Sequence, residues 1–464
     1  MDSNEALATL DKFLHSKSLS YLQELVFCKS WEGSTYQEIA NDAGYDFDYV
    51  REVGSSLWNL LSAEIGEKVT KKNIQSVLRR YKQEQETRAN QLESENTGRS
   101  SDSQSPLVDW GEAIDVSNFY GHTDELKILK EWLGEDFCRM IAILGMGGMG
   151  KTALSIALAE EVYPNFDRTI WRLLRPNQSV ADLLAALIGF LGNPGNQSNQ
   201  GNQSNQNNQN NQAQTTPLPD ALTDRISVLI ECLRNRRCLI ILDGAEAILA
   251  GGDRAGVYAE DLAGYGELFR RVAESQHQSC LILTSREQPQ EFTLLEGAKV
   301  RSLFLKGLDP KAGQAIFEEK GEFTGSAAEW DFLINHYAGN PQLLKVIAAT
   351  VQEFFGSNIA LLVEQIKSDR WVFEGVRQLL DEHFARLSES EKKVLYWLTV
   401  TQTMPHLMQI EQEMVPASSR QELLSVLESL RRRSLIEKTT DGFSPYPILN
   451  EYVTQVLVEK VYEH

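Results

Sequence analysis

The chain has 464 residues, a length that suggests about three domains of roughly 150 residues each. Hydrophobic residues make up 42% and charged residues 24% of the composition, which excludes a mainly disordered or fibrous protein. Because 65 acidic residues outnumber 45 basic ones, the formal net charge is −20, and general binding to nucleic acid or to an anionic membrane is not expected.

The cysteines and the first residues indicate the compartment. The five cysteines form no C-x-x-C pair and mostly lie in apolar runs, which predicts reduced core residues. Residues 1–13 are acidic and polar and lack the pattern of a secretory signal. No run of 18 apolar residues occurs, so no membrane span is predicted. We therefore expect a cytoplasmic protein that has no membrane partner.

Residues 1–90 are predicted to form a helical block. Apolar residues recur at i, i+3 and i+4 over 20–27 and 47–65, which predicts two helices with one buried face each. A third helix begins at residues 34–40, where Thr35 and Glu38 have capping-box spacing, and Gly44 ends it. The order of helix, glycine-containing turn and longer helix is typical of a helix-turn-helix unit.

A polar stretch separates this block from the next region. Apolar periodicity is lost from residue 83, and residues 91–116 are predicted to be a linker. From 117 to 306, apolar runs typical of strands alternate with helical patterns, which predicts an α/β domain with a parallel sheet. The predicted strands cover residues 140–144, 169–174, 238–242, 280–284 and 300–305.

One insert interrupts the α/β pattern. Residues 193–216 consist mostly of Asn, Gln, Gly and Ser, and a six-residue sequence starting at Gly195 is repeated from Gly201. Such a segment cannot bury apolar surface, which predicts a disordered loop. A prion-like assembly element is the alternative, and the loop is favoured because long surface insertions cost little free energy.

Two further units are predicted after the α/β domain. Residues 307–376 read as a helical subdomain, and 377–464 as a winged-helix domain. In the latter, a helix begins at Ser388 with Glu391 at capping-box spacing, and residues 422–433 form another amphipathic helix. Residues 434–439 and 443–446 flank a turn with Asp441 and Gly442, the pattern of a β-hairpin.

A phosphate-binding loop is predicted between the first strand and the helix after it. Residues 145–152 match G-x-x-x-x-G-K-[ST], and this context argues against a glycine-rich turn without a ligand. The glycines let backbone N–H groups point at phosphate oxygens. We expect Lys151 on the lip of a solvent-open loop, reaching the β- and γ-phosphates, and Thr152 binding Mg²⁺. The predicted nucleotide-binding residues here are Gly145, Met146, Gly147, Gly148, Met149, Gly150, Lys151, Thr152 and Ala153.

Three more residues are candidates for the chemistry. Asp243 ends an apolar strand, as a Walker B carboxylate does, and would hold Mg²⁺ directly or through water. Gly244 follows it instead of a second acid. Glu246 is either the group that polarises an attacking water or an exposed carboxylate at a helix start. Arg286 follows another strand and is either a sensor of the γ-phosphate or a surface arginine.

From about residue 119 onward, the chain resembles the NB-ARC class of STAND NTPases, signalling ATPases that include plant disease-resistance proteins and the apoptosome scaffold. Residues 119–125 resemble the adenosine motif of the family, which implies Tyr120 and Gly121 at the nucleotide, with His122 in place of the usual arginine. Residues 339–341 are similar to the G-x-P motif, which implies that Pro341 packs against adenine. Asn450 falls within the position of the M-H-D motif, which implies that it lies near the β-phosphate of ADP.

The resemblance extends to the other parts of the chain. Residues 169–172 are similar to the second-strand motif of the family, and the C-terminal block to its winged helix. Residues 1–90 look like the helix-turn-helix domains that precede NB-ARC modules in cyanobacterial-type signalling proteins, usually with WD repeats further on. No repeats of about 40 residues occur in this sequence.

Two functions follow as hypotheses. The first is an ATP/ADP switch with Mg²⁺: ADP keeps the modules closed, and ATP opens them and permits homo-oligomers that signal, for example in defence. Slow ATP hydrolysis would reset it, and protein sensors or effectors, bound through the N-terminal domain, would be its partners. The alternative is an ATP-regulated transcription factor. It is disfavoured because the helix that starts at Phe47 carries two acidic residues, Asp48 and Glu52, and only one basic residue, Arg51. Acidic side chains repel the phosphates of DNA, so nucleic acid is not an expected partner.

Overall fold

The computed structural model describes residues 21–31, 35–43, 47–65, 71, 74, 106–192, 218–252, 254–368, 372–401, 405–414, 420–439 and 442–462. The predicted disordered insert and the helix end at Gly44 lie outside the described residues. The chain divides into two compact units, Met1–Ser103 and Gln104–His464.

The first unit contains the three predicted helices. They are α1 (Tyr21–Trp31), α2 (Tyr36–Ala43) and α3 (Phe47–Ile65). The apolar faces of all three meet in one core, in which Phe27, Ile39 and Leu57 are fully buried. The indole N–H of Trp58 donates to the Tyr36 hydroxyl at 2.6 Å and ties α3 to α2. The helical prediction for this part of the chain is confirmed.

A six-stranded parallel sheet forms the centre of the second unit. Its strand order is β1-β3-β4-β5-β2-β6, and every described neighbouring pair is parallel. The predicted α/β fold with a parallel sheet is therefore confirmed. The strands are β1 (Leu107–Asp109), β2 (Met140–Leu144), β3 (Arg168–Leu173), β4 (Cys238–Asp243), β5 (Cys280–Ser285) and β6 (Val300–Phe304).

Strand β1 corrects the linker prediction. Leu107, Val108 and Asp109 pair with the start of β3 and extend the sheet by one edge strand. The linker assigned to 91–116 is therefore wrong over this stretch. The pattern gave no signal because the strand has only three residues and none of them is buried.

Helices cover both faces of the sheet, and the alternation along β2 shows how. Ile141 and Ile143 face one apolar core, whereas Met140, Ala142 and Leu144 face the other. All five are fully buried, as expected for a strand covered on both sides. The helices between the strands are α4 (Thr123–Gly134), α5 (Lys151–Val162), α6 (Val180–Gly192), α7 (Leu222–Asn235), α8 (Gly264–Glu274) and α9 (Gln290–Leu295).

Helices dominate the rest of the unit. The helical subdomain contains α10 (Pro310–Glu318), α11 (Ala327–His336), α12 (Pro341–Phe354) and α13 (Ile359–Ser368). We call the remaining elements the C-terminal block. They are α14 (Glu374–Ala385), α15 (Glu389–Thr401), α16 (Leu407–Met414), α17 (Arg420–Arg432), β7 (Ile436–Thr439), β8 (Gly442–Pro445) and α18 (Pro447–Tyr462).

Local predictions for the C-terminal block agree with the structure. Strands β7 and β8 pair antiparallel as the predicted hairpin, from Ile436 opposite Pro445 to Thr439 opposite Gly442. The capping box before α15 is present: the Ser388 N–H donates to the Glu391 carboxylate at 2.8 Å, and the Glu391 N–H donates to the Ser388 hydroxyl at 3.2 Å. The hairpin is followed by the last helix, α18, and the assignment of the whole block as a winged helix stays a prediction.

Two composition-based expectations concern the whole chain. The five cysteines all lie within the described residues and form no disulfide bond there, and Cys138, Cys238 and Cys280 are buried. Among the helices that the structure describes, none is both long and apolar enough to span a bilayer.

Candidate functional site

The candidate site lies at the carboxyl ends of β2, β4 and β5, where the loop 145–150 leads into α5. Gly148 adopts a φ of +81°, a backbone conformation that side chains rarely allow. A Cβ added there would meet the Asn340 side-chain oxygen at 2.6 Å and Cβ of Gln342 at 2.7 Å. The loop therefore requires glycine both for its turn and for its close contact with α12.

A cavity of about 480 Å³ opens beside this loop. It brings together the predicted phosphate loop and the Walker B carboxylate. It also contains Glu246 and Arg286, for which the sequence left two roles open, and the proline of the G-x-P motif. Its lining residues are Ile114, Gly147, Gly148, Gly150, Lys151, Thr152, Ala153, Leu173, Asp243, Gly244, Glu246, Thr284, Arg286, Pro341, Gln342 and Lys345.

Lys151 is buried, which corrects the expected lip position. Only 8% of its surface is exposed, because the loop folds around its ammonium group. Its Nζ donates to the carbonyls of Gly145 at 2.8 Å and Met146 at 3.0 Å. Burial lowers the pKa of Lys151 to about 8; the carboxylate of Glu246 opposes this shift, and the Arg286 cation adds to it.

The Mg²⁺ candidates Thr152 and Asp243 lie in direct contact. The Thr152 hydroxyl is 2.9 and 3.0 Å from the two carboxylate oxygens of Asp243. The Thr284 hydroxyl, at the end of β5, donates to the same carboxylate at 2.6 Å and accepts the Gly244 N–H at 3.0 Å. Burial raises the pKa of Asp243, whereas the two hydroxyl bonds lower it. A carboxylate and a hydroxyl are the oxygen ligands that Mg²⁺ prefers beside phosphate.

Glu246 and Arg286 form an ion pair inside the cavity. The Arg286 Nε lies 3.1 Å from Glu246 Oε1, and the Arg286 backbone N–H donates to Oε2 at 3.1 Å. On its other side the guanidinium donates to Glu382 at 2.9 Å. Both side chains therefore lie at the site and are only partly exposed, and the ion pair fixes the position of each of them.

The sequence reasoning missed His383, which contacts the phosphate loop directly. The Gly147 N–H donates to His383 Nε2 at 2.9 Å, and the Gly147 carbonyl accepts from the Asn340 side-chain amide at 2.8 Å. Both polar groups of this loop residue are thus bound by side chains that lie more than 190 positions away in the sequence. Burial, followed by the cations Arg286 and Lys151, lowers the pKa of His383 to about 3. The imidazole is therefore neutral and accepts through Nε2.

A signal for His383 is present in the sequence of α14. Val376, Leu379 and Leu380 are the buried residues of this helix, and position 383 continues their spacing at i+7. The ring is 5% exposed on this apolar face. A titratable ring on an otherwise apolar stripe needs a polar partner, and here the partner is the phosphate loop.

The motifs that flank the loop also hold it. Asn340 caps α12 by accepting from the N–H groups of Gln342 at 3.1 Å and Leu343 at 3.2 Å, and Pro341 is at the first turn, as predicted. A ring nitrogen of His122, the residue at the position of the usual arginine, lies 3.2 Å from the Met149 carbonyl oxygen.

Tyr120 and Gly121 do not line the cavity. Tyr120 is half-buried and packs against the apolar core, and a Cβ at Gly121 would meet Leu308 at 2.6 Å. Their predicted contact with the nucleotide stays a prediction.

Asn450 lies within α18 rather than at its start. The helix begins at Pro447, so Asn450 does not cap it. The Thr399 hydroxyl donates to its side-chain oxygen at 3.2 Å. Next to it, Glu451 lies 3.2 Å from His336 of α11 and joins α18 to the helical subdomain. A phosphate contact of Asn450 stays a prediction.

These observations define the class of protein. A glycine loop joins a buried parallel strand to a helix, a lysine and a threonine begin that helix, and a carboxylate at the end of β4 contacts the threonine. The loop cradle and the donor set fit a nucleoside phosphate with Mg²⁺. The second unit is therefore a P-loop NTPase.

Comparison with known proteins gives the family. Residues 1–81 match the model of the vWA-MoxR associated protein N-terminal HTH, and residues 122–245 match the NB-ARC domain. The chain thus carries an NB-ARC domain preceded by a helix-turn-helix domain, and the resemblance found in its motifs is confirmed for these two domains.

The chain is also similar to one curated relative and to several solved structures. An uncharacterised WD repeat-containing protein of Nostoc sp. is 42% identical over 368 residues, which cover 77% of this chain but only 28% of that protein. A STAND protein with a tetratricopeptide repeat sensor from Pyrococcus horikoshii aligns over 75% of this chain and 44% of its own, with 18% identity and a TM-score of 0.36. A Walker-type ATPase of Pyrococcus abyssi aligns over 76% and 99%, with 14% identity and a TM-score of 0.49.

Proposed function

We propose that this chain is a nucleotide-dependent switch in which ADP with Mg²⁺ holds the C-terminal block against the phosphate loop. Exchange for ATP releases the block and permits self-association for signalling. The observation that carries this proposal is the contact between α14 and the loop, in which His383 accepts the Gly147 N–H. A block that contacts the phosphate site directly can respond to what binds there.

A buried ion network supports a defined docked arrangement. Glu287, just after β5, accepts from Arg386 at 2.6 Å and from Arg433 of the C-terminal block. Arg433 also donates to Glu391 at 2.9 Å, which in turn accepts from the Ser429 hydroxyl at 2.6 Å. Paired charges at this depth fix a single geometry, since any displacement leaves them buried and unpaired.

The site residues have separable roles in the proposal. Lys151 pairs with phosphate charge, Thr152 and Asp243 hold Mg²⁺, and Mg²⁺ when bound neutralises charge on the phosphates. Glu246 is occupied by Arg286, and Gly244 stands where a second acid would polarise water. We therefore propose that ATP hydrolysis is slow and serves to reset the switch.

The N-terminal unit is proposed to bind protein partners. The first two turns of its helix α3 contain two acidic residues, Asp48 and Glu52, and one basic residue, Arg51. This charge pattern does not favour contact with the phosphates of a DNA backbone. The chain spans 28% of the length of its WD-repeat relative. A protein sensor and a protein effector are therefore proposed as its partners. The domain limits 1–90, 117–306, 307–376 and 377–464 are proposed as the units that move.

Size-exclusion chromatography with light scattering tests the switch. The full chain is run with Mg²⁺–ADP and with a non-hydrolysable ATP analogue, and Lys151→Ala serves as the control. We expect a monomer with ADP and a larger assembly with the analogue, and no response from the variant. Identical monomeric profiles of a nucleotide-binding preparation would refute the proposal.

A further inference from the structure

A second cavity, of about 680 Å³, opens at the end of the sheet opposite to the phosphate loop. Arg139, Arg237 and Lys299 line it, and they immediately precede strands β2, β4 and β6. Because the described strand pairs are all parallel, these residues lie at the amino ends of the strands, whereas the phosphate loop lies at the carboxyl ends. The two cavities therefore lie at opposite ends of one sheet, and they share no lining residue among those described.

Positive charge dominates the lining of this cavity. Five of its eleven described lining residues are cationic: Arg139, Arg234, Arg236, Arg237 and Lys299. Asp167 is the one acidic residue among the described residues that line it. Five cations around one cavity are unexpected in a chain whose net charge is −20. The cavity is therefore a local region that attracts anions.

Carboxylates do not neutralise these five cations. Within the described part of the chain, none of the five forms an ion pair, and each donates to a backbone carbonyl oxygen instead. The acceptors are Leu133 for Arg237 at 3.0 Å, Asp136 for Lys299 at 2.5 Å, Leu191 for Arg236 at 2.7 Å, Ala273 for Arg139 at 3.1 Å and Gln276 for Arg234 at 3.3 Å.

Helix ends explain part of this arrangement. Leu133, Leu191 and Ala273 lie in the last turns of α4, α6 and α8, where a nearby cation is favourable. An arginine has five N–H donors, however, and the described contacts use one donor of each guanidinium. Capping of helix ends therefore does not account for the convergence of these side chains on one cavity.

Arg237 is held in a fixed position within this lining. Its Cζ lies 5.4 Å from the centroid of the Phe137 ring and 4.7 Å from the centroid of the Phe166 ring, so the guanidinium contacts two aromatic rings. Its Nε is buried and has no hydrogen-bond partner among the described groups. A buried donor is costly to leave unpaired, so this nitrogen points to a missing acceptor.

Phe137 adopts a backbone conformation that is rare for a bulky side chain. Its φ is +50°, in the left-handed region. The residue is 46% exposed, so burial in the core does not explain this conformation. The conformation places the ring at the cavity and against the Arg237 guanidinium. Backbone strain of this kind clusters at ligand sites, where it positions a group for binding.

We propose that this cavity binds a small anion that carries two or more linked phosphate groups. Its volume is typical of small-molecule sites, and arginine binds phosphate through paired N–H groups. Arg237 and Arg139 precede strands that are two positions apart in the sheet, roughly 10 Å at the usual strand spacing. A single phosphate does not span this distance, whereas a chain of phosphates does. The proposal does not depend on the proposed switch.

Calorimetric titration with inorganic tripolyphosphate tests the proposal. The full chain carries Lys151→Ala, which weakens binding at the phosphate loop, and the buffer contains no Mg²⁺. We expect one tripolyphosphate to bind per chain. Arg234→Gln, at the end of α7, and Lys299→Gln, before β6, replace two exposed residues and leave the fold intact. Each should weaken binding about tenfold, the value of one hydrogen bond to a charged group.

Arg175→Gln in the same background is the matched control. This exposed arginine follows the carboxyl end of β3 and pairs with Glu112, away from the cavity. Its loss removes the same charge as Arg234→Gln and should change the affinity less than about twofold, because exposed charges at a distance are screened.

A short polyglutamate peptide distinguishes phosphate from an acidic protein segment and should bind more weakly than tripolyphosphate. Binding of the peptide as tight as that of tripolyphosphate would overturn the assignment of the ligand. A folded Lys151→Ala chain that binds no tripolyphosphate would overturn the site itself. Unchanged affinity in both Arg234→Gln and Lys299→Gln would do the same. None of these outcomes affects the candidate nucleotide site, which is tested with nucleotide and Mg²⁺.

Discussion

The Nε2 atom of His383 lies 2.9 Å from the backbone nitrogen of Gly147 and joins residues that are 236 positions apart in the sequence. The bond connects α14 of the C-terminal block to the loop that defines the P-loop class. Asn340 holds the carbonyl of the same glycine, so that two segments converge on one loop residue. The C-terminal block and the helical subdomain therefore meet the phosphate loop at a single residue, Gly147.

Replacement of Lys151 tests the phosphate site. Lys151→Ala should weaken binding of Mg²⁺–ATP by at least about a hundredfold, because a buried charge partner of the phosphates is lost. The fold should persist, since the removed ammonium group is itself costly to bury. Calorimetry gives the affinity, and circular dichroism checks the fold. Unchanged affinity in a folded variant would refute the P-loop assignment.

Proton uptake tests the environment of Lys151. Its pKa of about 8 means that a substantial part of the amines is neutral at pH 8.5, whereas a bound phosphate favours the charged form. Nucleotide binding should therefore take up protons, and the uptake should grow from pH 7 to pH 8.5. Calorimetry in two buffers of different ionisation enthalpy measures this uptake. Enthalpies that do not depend on the buffer at pH 8.5 would contradict the expectation.

The buried network around Glu287 should be essential for the docked block. Glu287→Ala leaves Arg386 and Arg433 without their shared carboxylate, and it should lower the free energy of unfolding by about 3–5 kcal/mol. As a control, Glu112→Ala removes an exposed pair with Arg175 and should cost less than about 1 kcal/mol. Urea unfolding compares the two variants. Similar midpoints for both would show that the network contributes little.

Asn450 separates a structural role from a nucleotide role. Loss of its bond to Thr399 alone should lower stability by about 1 kcal/mol in Asn450→Ala. The M-H-D resemblance predicts in addition that ADP binding weakens relative to ATP binding, by up to about tenfold for each 1.4 kcal/mol of binding free energy that is lost. Titration with both nucleotides and thermal melting distinguish these outcomes. If the variant has a lower melting temperature but the same ratio of ADP to ATP affinity as the wild type, Asn450 contributes only to packing.

Local patterns predicted what local physics determines. The loop at 145–152, the central strands, the hairpin and the Ser388 capping box each depend on residues that are close in sequence, and all were found. Strand β1 was missed because three half-exposed residues gain their structure from pairing with β3. The burial of Lys151 depends on how the loop folds around its ammonium group, and the contact of His383 joins residues 236 positions apart. Hydrophobic periodicity encodes neither of these features.

The nucleotide that stays with the purified chain tests the central claim most directly. After denaturation, the released nucleotide is identified and counted by chromatography. The switch that is held closed through Gly147 and His383 predicts close to one ADP per chain. A preparation that carries only ATP would contradict the closed diphosphate state, and a folded chain that neither retains nor rebinds any nucleotide would contradict the site itself.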